Sequence, residues 1–205
     1  MRAQQQKPSR AEAISIGIVI FFDGGGPGRL VRCLGCGLAR TAGSTDPVYT
    51  VAITGAAGLE GLDLGRPTLS PVFNLTVRID NTGNKLVGAC VGSLSTAAVS
   101  YGDALHARGS VPPFSAGEEQ ESERAATAWG LDVVVPRFLR ERLAGELRRG
   151  EGEVDVQVTT PAGSSHYDTV LVCKVKIGGG QSPPCRRDYV YLRPAPASGS
   201  TALAA

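Results

Sequence analysis

Phe73, Leu75, Val77 and Ile79 alternate with Asn74, Thr76, Arg78 and Asp80. A period of two sets one row of side chains on a core and the other in water, so residues 73–80 predict a half-buried strand. The turn cluster Asn81-Thr82-Gly83-Asn84 ends it. The same alternation runs through Tyr49, Val51 and Ile53, and again through Ala97, Val99 and Tyr101. It returns at Trp129, Leu131, Val133 and Val135, at Val154, Val156 and Val158, and at Leu171, Cys173, Val175 and Ile177. Short strands are expected from His106 to Val111 and from Tyr189 to Leu192, with Pro112-Pro113 marking an edge or loop. One stretch follows a helical period instead. Leu139, Leu143 and Leu147 form a stripe, with Pro136 at its start and Gly150 at its stop. The alternation predicts that Phe73, Leu75, Val77, Ile79, Trp129, Leu131 and Val133 are buried in one core.

About seven strands separated by turn signals predict a mainly β fold, a two-sheet antiparallel sandwich of immunoglobulin-like kind with one short helix. A single helix cannot supply the crossovers of a parallel sheet. The domain is expected over residues 47–193, after an N-terminal tail and linker at 1–46 and before a disordered tail at 194–205.

Composition narrows this. The chain has 205 residues, enough for one sizeable core. Its 27 Gly and 13 Pro favour a turn-rich β protein over a helical bundle. A net charge of +2 argues against a dedicated nucleic-acid binder. Basic residues Arg2, Lys7 and Arg10 precede an apolar run from Ile14 to Phe22. That order suits a signal or an anchor, but the run falls short of the roughly 20 residues that span a bilayer. A membrane anchor and a buried or disordered strand-like tail are both open readings. The five cysteines (Cys33, Cys36, Cys90, Cys173 and Cys185) are odd in number, and their spacing predicts no disulfide framework.

Candidate chemistry is sparse. No GxSxG surrounds a serine, no phosphate-binding GxxxxGK[ST] is present, and Asp23-Gly24-Gly25-Gly26-Pro27-Gly28-Arg29 departs from a dinucleotide fingerprint at Arg29. Cys33-Leu34-Gly35-Cys36 has neither a second CxxC nor a βαβ context, so no bound metal is expected. His106 and His166 are expected at the surface without a catalytic partner. Glu118, Glu119, Glu121 and Glu123 lack the spacing of a calcium loop and are expected in a solvated loop. Asn74-Leu75-Thr76 is a glycosylation sequon, with Asn74 on the polar side of its strand. No cofactor and no catalytic residue are expected.

From about Pro47 to Arg193 the chain resembles the plant late embryogenesis abundant proteins of the LEA type 2 subgroup, in their hairpin-inducing-like and non-race-specific disease resistance-like branch. The resemblance rests on Phe73-Asn74-Leu75-Thr76-Val77-Arg78-Ile79-Asp80-Asn81, on Val99-Ser100-Tyr101-Gly102-Asp103-Ala104-Leu105, on Gly109-Ser110-Val111-Pro112-Pro113-Phe114 and on Val172-Cys173-Lys174-Val175. The chain departs from the family's pattern at Asn81-Thr82-Gly83-Asn84, which lacks the usual Pro, and in the short Ile14–Phe22 run. The resemblance implies an immunoglobulin-like sandwich without enzymatic activity. It implies a role in stress or defence response, exerted by binding a protein or lipid partner. With the basic start and the sequon, it sets the expectation of membrane association, at the plasma membrane or endoplasmic reticulum. A cytosolic protein is one alternative; a secreted or cell-surface binding module without a stress role is another.

Overall fold

The computed structural model describes residues 45–62, 67–102, 104–162 and 167–191. The Ile14–Phe22 run, Cys33-Cys36, His166 and the C-terminal tail lie outside the described residues. Strands dominate, and every ladder between them is antiparallel. They are β1 (Val48–Ala57), β2 (Thr68–Leu69), β3 (Val72–Asp80), β4 (Ala89–Val91), β5 (Thr96–Tyr101), β6 (Ala104–Ser110), β7 (Phe114–Ala116), β8 (Glu121–Trp129), β9 (Val133–Val134), β10 (Glu153–Thr160), β11 (Tyr167–Lys176) and β12 (Arg186–Tyr191). A single helix, α1 (Arg137–Arg148), follows β9.

Eight of the strands form one sheet in the order β1-β3-β8-β6-β5-β10-β11-β12, and β2-β9 and β4-β7 form two short ladders. The far ends of the large sheet approach each other. Ala52 bridges to Gln181 and Ile53 to Ile177. Ser182 N donates to Val51 O and Cys185 N to Tyr49 O, both at 2.8 Å. The connection between β11 and β12 therefore satisfies backbone groups on the outer edge of β1, which would otherwise be open for pairing.

The alternating residues line the interior this creates. Tyr49, Val51 and Ile53 of β1 meet Phe73, Leu75, Val77 and Ile79 of β3. Ala97 and Val99, Val154, Val156 and Val158, and Leu171, Cys173 and Val175 complete the same core. On α1, Leu139 and Leu143 are buried and Leu147 packs against the core from its margin. Pro136 caps the N-terminus, and Gly150 takes a left-handed φ of 68° just beyond the C-terminus, where a side chain would be strained.

Three expectations are corrected. Trp129 and Leu131 are exposed, and Val133 is only partly buried. The inward residues of β8 are Ala126 and Ala128, so Trp129 falls on the outer row, and the alternation breaks at the turn that follows. Glu121 and Glu123 belong to β8, where they pair with Asp80 and Arg78 of β3, because an outer strand face accepts charges as readily as a loop does. The third concerns the cysteines: Cys173 and Cys185 form a disulfide across a separation of 12 residues, and Cys90 is disulfide-bonded as well. Sequence spacing could not show that β11 and the segment closing on β1 are neighbours.

Candidate interaction surface

The segment between β8 and α1 holds an unusual concentration of exposed apolar side chains. Trp129 is 60% exposed, Leu131 72%, Val134 72% and Phe138 68%. Val72, the cross-strand neighbour of Trp129 on β3, is also exposed. Four large apolar side chains exposed within one short stretch of chain call for explanation, whereas isolated ones do not.

The backbone beneath them is firmly held. Gly130 N donates to Pro71 O at 2.9 Å, and Asp132 N donates to Ser70 Oγ at 3.1 Å. A Cβ on Gly130 would stand 1.9 Å from the His106 carbonyl oxygen, so only glycine permits this approach. Asp132 takes a φ of 47°, a left-handed conformation that aspartate tolerates better than most residues. β9 then pairs with β2, Val135 enters the core, and Pro136 starts the helix. Phe138 lies one residue before Leu139 and so falls off the buried stripe. The inward residues Val135 and Leu139 thus fix the outward ones, as expected for a preformed surface.

Cations flank the segment. Arg108 of β6 is the cross-strand neighbour of Trp129, is exposed, and makes no ion pair among the described residues. Arg137 pairs with Glu141 at 2.7 Å one turn along the helix, and that carboxylate holds the guanidinium above its usual range. Surface pairs of this kind are worth little to stability.

A cavity of about 440 Å³ opens elsewhere, between α1 and the strands β10 and β11, lined among others by Tyr101, Arg142, Glu146, Asp155 and Lys174. Most of its charges are already matched. Arg142 pairs with Glu146 and Lys174 with Asp155, both at 2.9 Å, and Arg149 pairs with Glu151 at 2.7 Å. Arg142 also stands over the Tyr101 ring, 5.8 Å from its centre. Burial and the Glu146 carboxylate push the Tyr101 hydroxyl up, although Glu146 stops short of full hydrogen-bonding geometry with it. Burial would raise Glu146, but its hydrogen bond from Arg142, with the nearby Tyr101 hydroxyl, outweighs it and lowers the carboxyl overall. Of these contacts, the one between Arg142 and Tyr101 links α1 to β5.

His106 is 1% exposed, against the expectation of a surface position. It sits where the β5–β6 register slips: Val99 faces Ala107 and Ser100 faces Leu105, leaving His106 as the extra residue of a bulge. Its ring meets Tyr101 edge-on at 6.2 Å, and its Nε2 has no partner. Burial lowers its proton affinity, and a hydrogen bond with the Tyr101 backbone opposes this. The buried Ser95 hydroxyl bonds Gly92 O and Thr160 Oγ1, at 2.8 and 2.9 Å, so no imidazole activates it. Among the described residues, no three His, Cys, Asp or Glu side chains are grouped to hold a metal ion.

Asn74 is exposed on the outer face of β3, as the alternation predicts for its side chain. Gly55 faces it from β1 and Thr127 from β8, so the amide stands between small or short neighbours. The sequence alternation hides the Trp129 segment because it runs on across Gly130 and Asp132. Those two turn-forming residues were the available signal that the strand had ended. No family model matches the chain, and no curated protein or solved structure matches it either.

Proposed function

We propose that this is a non-enzymatic binding protein of LEA type 2-like kind, associated with a membrane and acting in plant stress or defence response through a protein or lipid partner. The observation that supports binding is the exposed, rigidly based apolar surface of Trp129, Leu131, Val134 and Phe138. In this reading the curled sheet is a variant of the immunoglobulin-like sandwich, a reading favoured by the single core that the large sheet's strands share. The Cys173–Cys185 bond favours a domain on the lumenal or outer side, because such bonds persist in oxidising compartments. The sequon at Asn74 points the same way. Among the described residues no helix is long and apolar enough to cross a membrane, so the anchor in this reading is the N-terminal segment with its Ile14–Phe22 run.

Subcellular fractionation of the full-length chain tests the proposal. The protein is expected in the membrane fraction, with a glycosidase-sensitive mobility shift that disappears in Asn74→Gln. A soluble, unglycosylated protein would leave a cytosolic LEA-like domain as the better account. The second reading, a secreted or cell-surface module without a stress role, is favoured by the disulfide alone. It predicts release into the medium.

A further inference from the structure

We propose that Cys33, Cys36 and Cys90 form a thiol–disulfide exchange site, in which one cysteine of the N-terminal pair ties that part of the chain to β4 and the other releases it. The inference goes beyond the binding role and stands whichever partner the domain takes.

Cysteine arithmetic carries it. The chain has five cysteines. Cys173 and Cys185 are bonded to each other, and Cys90 is disulfide-bonded too. Within the chain, Cys33 and Cys36 are the two cysteines left for Cys90. One of them takes the bond, and the other remains as the odd thiol, three positions away in Cys33-Leu34-Gly35-Cys36. A thiol so close to a disulfide is a nucleophile held at its target.

The described residues make the bond reachable. The Thr45 hydroxyl donates to Gly83 O, so the chain enters the domain against the β3–β4 connection. Tyr49 Oη donates to Cys90 O at 3.4 Å, which sets β4 beside the start of β1. From Gly83 to Cys90 there are seven positions, a span of at most about 25 Å. From Cys36 to Thr45 there are nine, enough for about 30 Å, and Cys33 reaches further. Cys90 itself is partly exposed, between the buried Ala89 and Val91 on a three-residue strand. Cys173, by contrast, lies in the core at 2% exposure, so attack falls on the Cys90 bond and spares the other.

The local charge suits the attacking group. Arg29, Arg32 and Arg40 flank the pair, and no carboxylate occurs in positions 24–45. Nearby cations favour the thiolate, which is the form that attacks. The step balances without an outside oxidant or reductant. The free thiolate of the pair attacks its bonded neighbour's sulfur, the Cys33–Cys36 bond forms, the bond to Cys90 breaks, and Cys90 leaves as thiolate. The reverse attack by Cys90 restores the tie.

The test uses the full chain with its disulfides intact, its free thiols blocked with N-ethylmaleimide before tryptic digestion. Peptide Cys33–Arg40 is expected linked to Leu86–Arg108, with one alkyl group on Cys33 or Cys36. Unblocked protein is then held at about pH 8 with about 1 mM reduced glutathione, and samples are blocked over time. Cys90 should become alkylated as the Cys33–Cys36 bond appears, while Cys173–Cys185 persists. Cys33→Ser or Cys36→Ser, whichever residue carried the alkyl group, removes the attacking thiol and keeps the tie. In that variant the release of Cys90 should be at least about tenfold slower. Equal release rates, or release without a Cys33–Cys36 bond, would overturn the exchange. Cys90 found as a free thiol at the outset, or linked to Cys185 or to a second chain, would overturn the site altogether.

Discussion

His106, expected at the surface, is buried. The β5–β6 bulge turns it inward, where its ring packs against Tyr101 and its Nε2 lacks a partner. Burial favours the neutral imidazole, so its folded-state pKa lies below the unfolded value of about 6.5. Above that value both states are neutral, and the native contacts count in full. As pH falls below it, the unfolded chain takes up the proton first, and stability is lost until the folded value is reached. The urea midpoint should therefore drop between about pH 7 and pH 5, and His106→Gln should flatten that drop. A slope unchanged in the variant would assign the titration to another group. Asp80, whose carboxyl is lowered chiefly by the Thr82 hydroxyl and then by its backbone N–H, loses its contribution only at more acid pH. Asn81 is the other residue whose role the turn signal understated. Its buried amide donates to Val87 O at 2.9 Å within the β3–β4 connection and to Gly117 O at 2.8 Å just after β7, joining two connections that lie apart in sequence.

At the scale of elements, strand and helix assignments followed local periodicity wherever side-chain size and parity agreed. β3 and β10 present one buried residue in two, and α1 lies between its predicted proline and glycine. β8 breaks the pattern because its inward residues are alanines and its largest side chain points outward. The connection from β11 to β12 has a role that periodicity cannot reveal. Cys185 hydrogen-bonds Tyr49 of β1 through its N–H and bonds Cys173 of β11 through sulfur. It thus staples the two ends of the sheet. Closing a loop over a separation of 12 residues is worth roughly 2–4 kcal/mol through the unfolded chain. Cys173→Ala with Cys185→Ala should cost about that much in denaturant unfolding, and amide exchange should speed up first at Tyr49 and Val51. A midpoint equal to the parent's would mean that the hydrogen bonds alone close the sheet.

For the whole molecule, two features proposed for the outer surface compete for the same ground. Asn74 and Thr127 form one cross-strand pair, and Val72 and Trp129 the next along the same face, two residues away on β3. That is a distance of about 7 Å along an extended strand. A glycan at Asn74 would stand beside Trp129 and screen it from solvent and partner alike. Acrylamide should therefore quench Trp129 fluorescence less efficiently in glycosylated full-length protein than in the same chain after glycan removal. Equal quenching would mean that the glycan leans away from the segment.

The sequence by itself determined what local physics controls. Alternation in steps of two marked strands because successive side chains on extended backbone face opposite ways. The leucine stripe marked the helix, and Pro136 and Gly150 marked its ends. The scarcity of motifs was equally legible, since a nucleophile elbow or a phosphate loop is a local pattern. Tertiary structure decided which edges meet, and with that the pairing of Cys173 with Cys185, the closure of β1, the burial of His106 and the exposure of Trp129. Each of these depends on which distant segment arrives as a neighbour. Gly130 is the clearest case: the reason for a glycine there is the carbonyl of His106, 24 positions earlier in the chain, and no local pattern contains it.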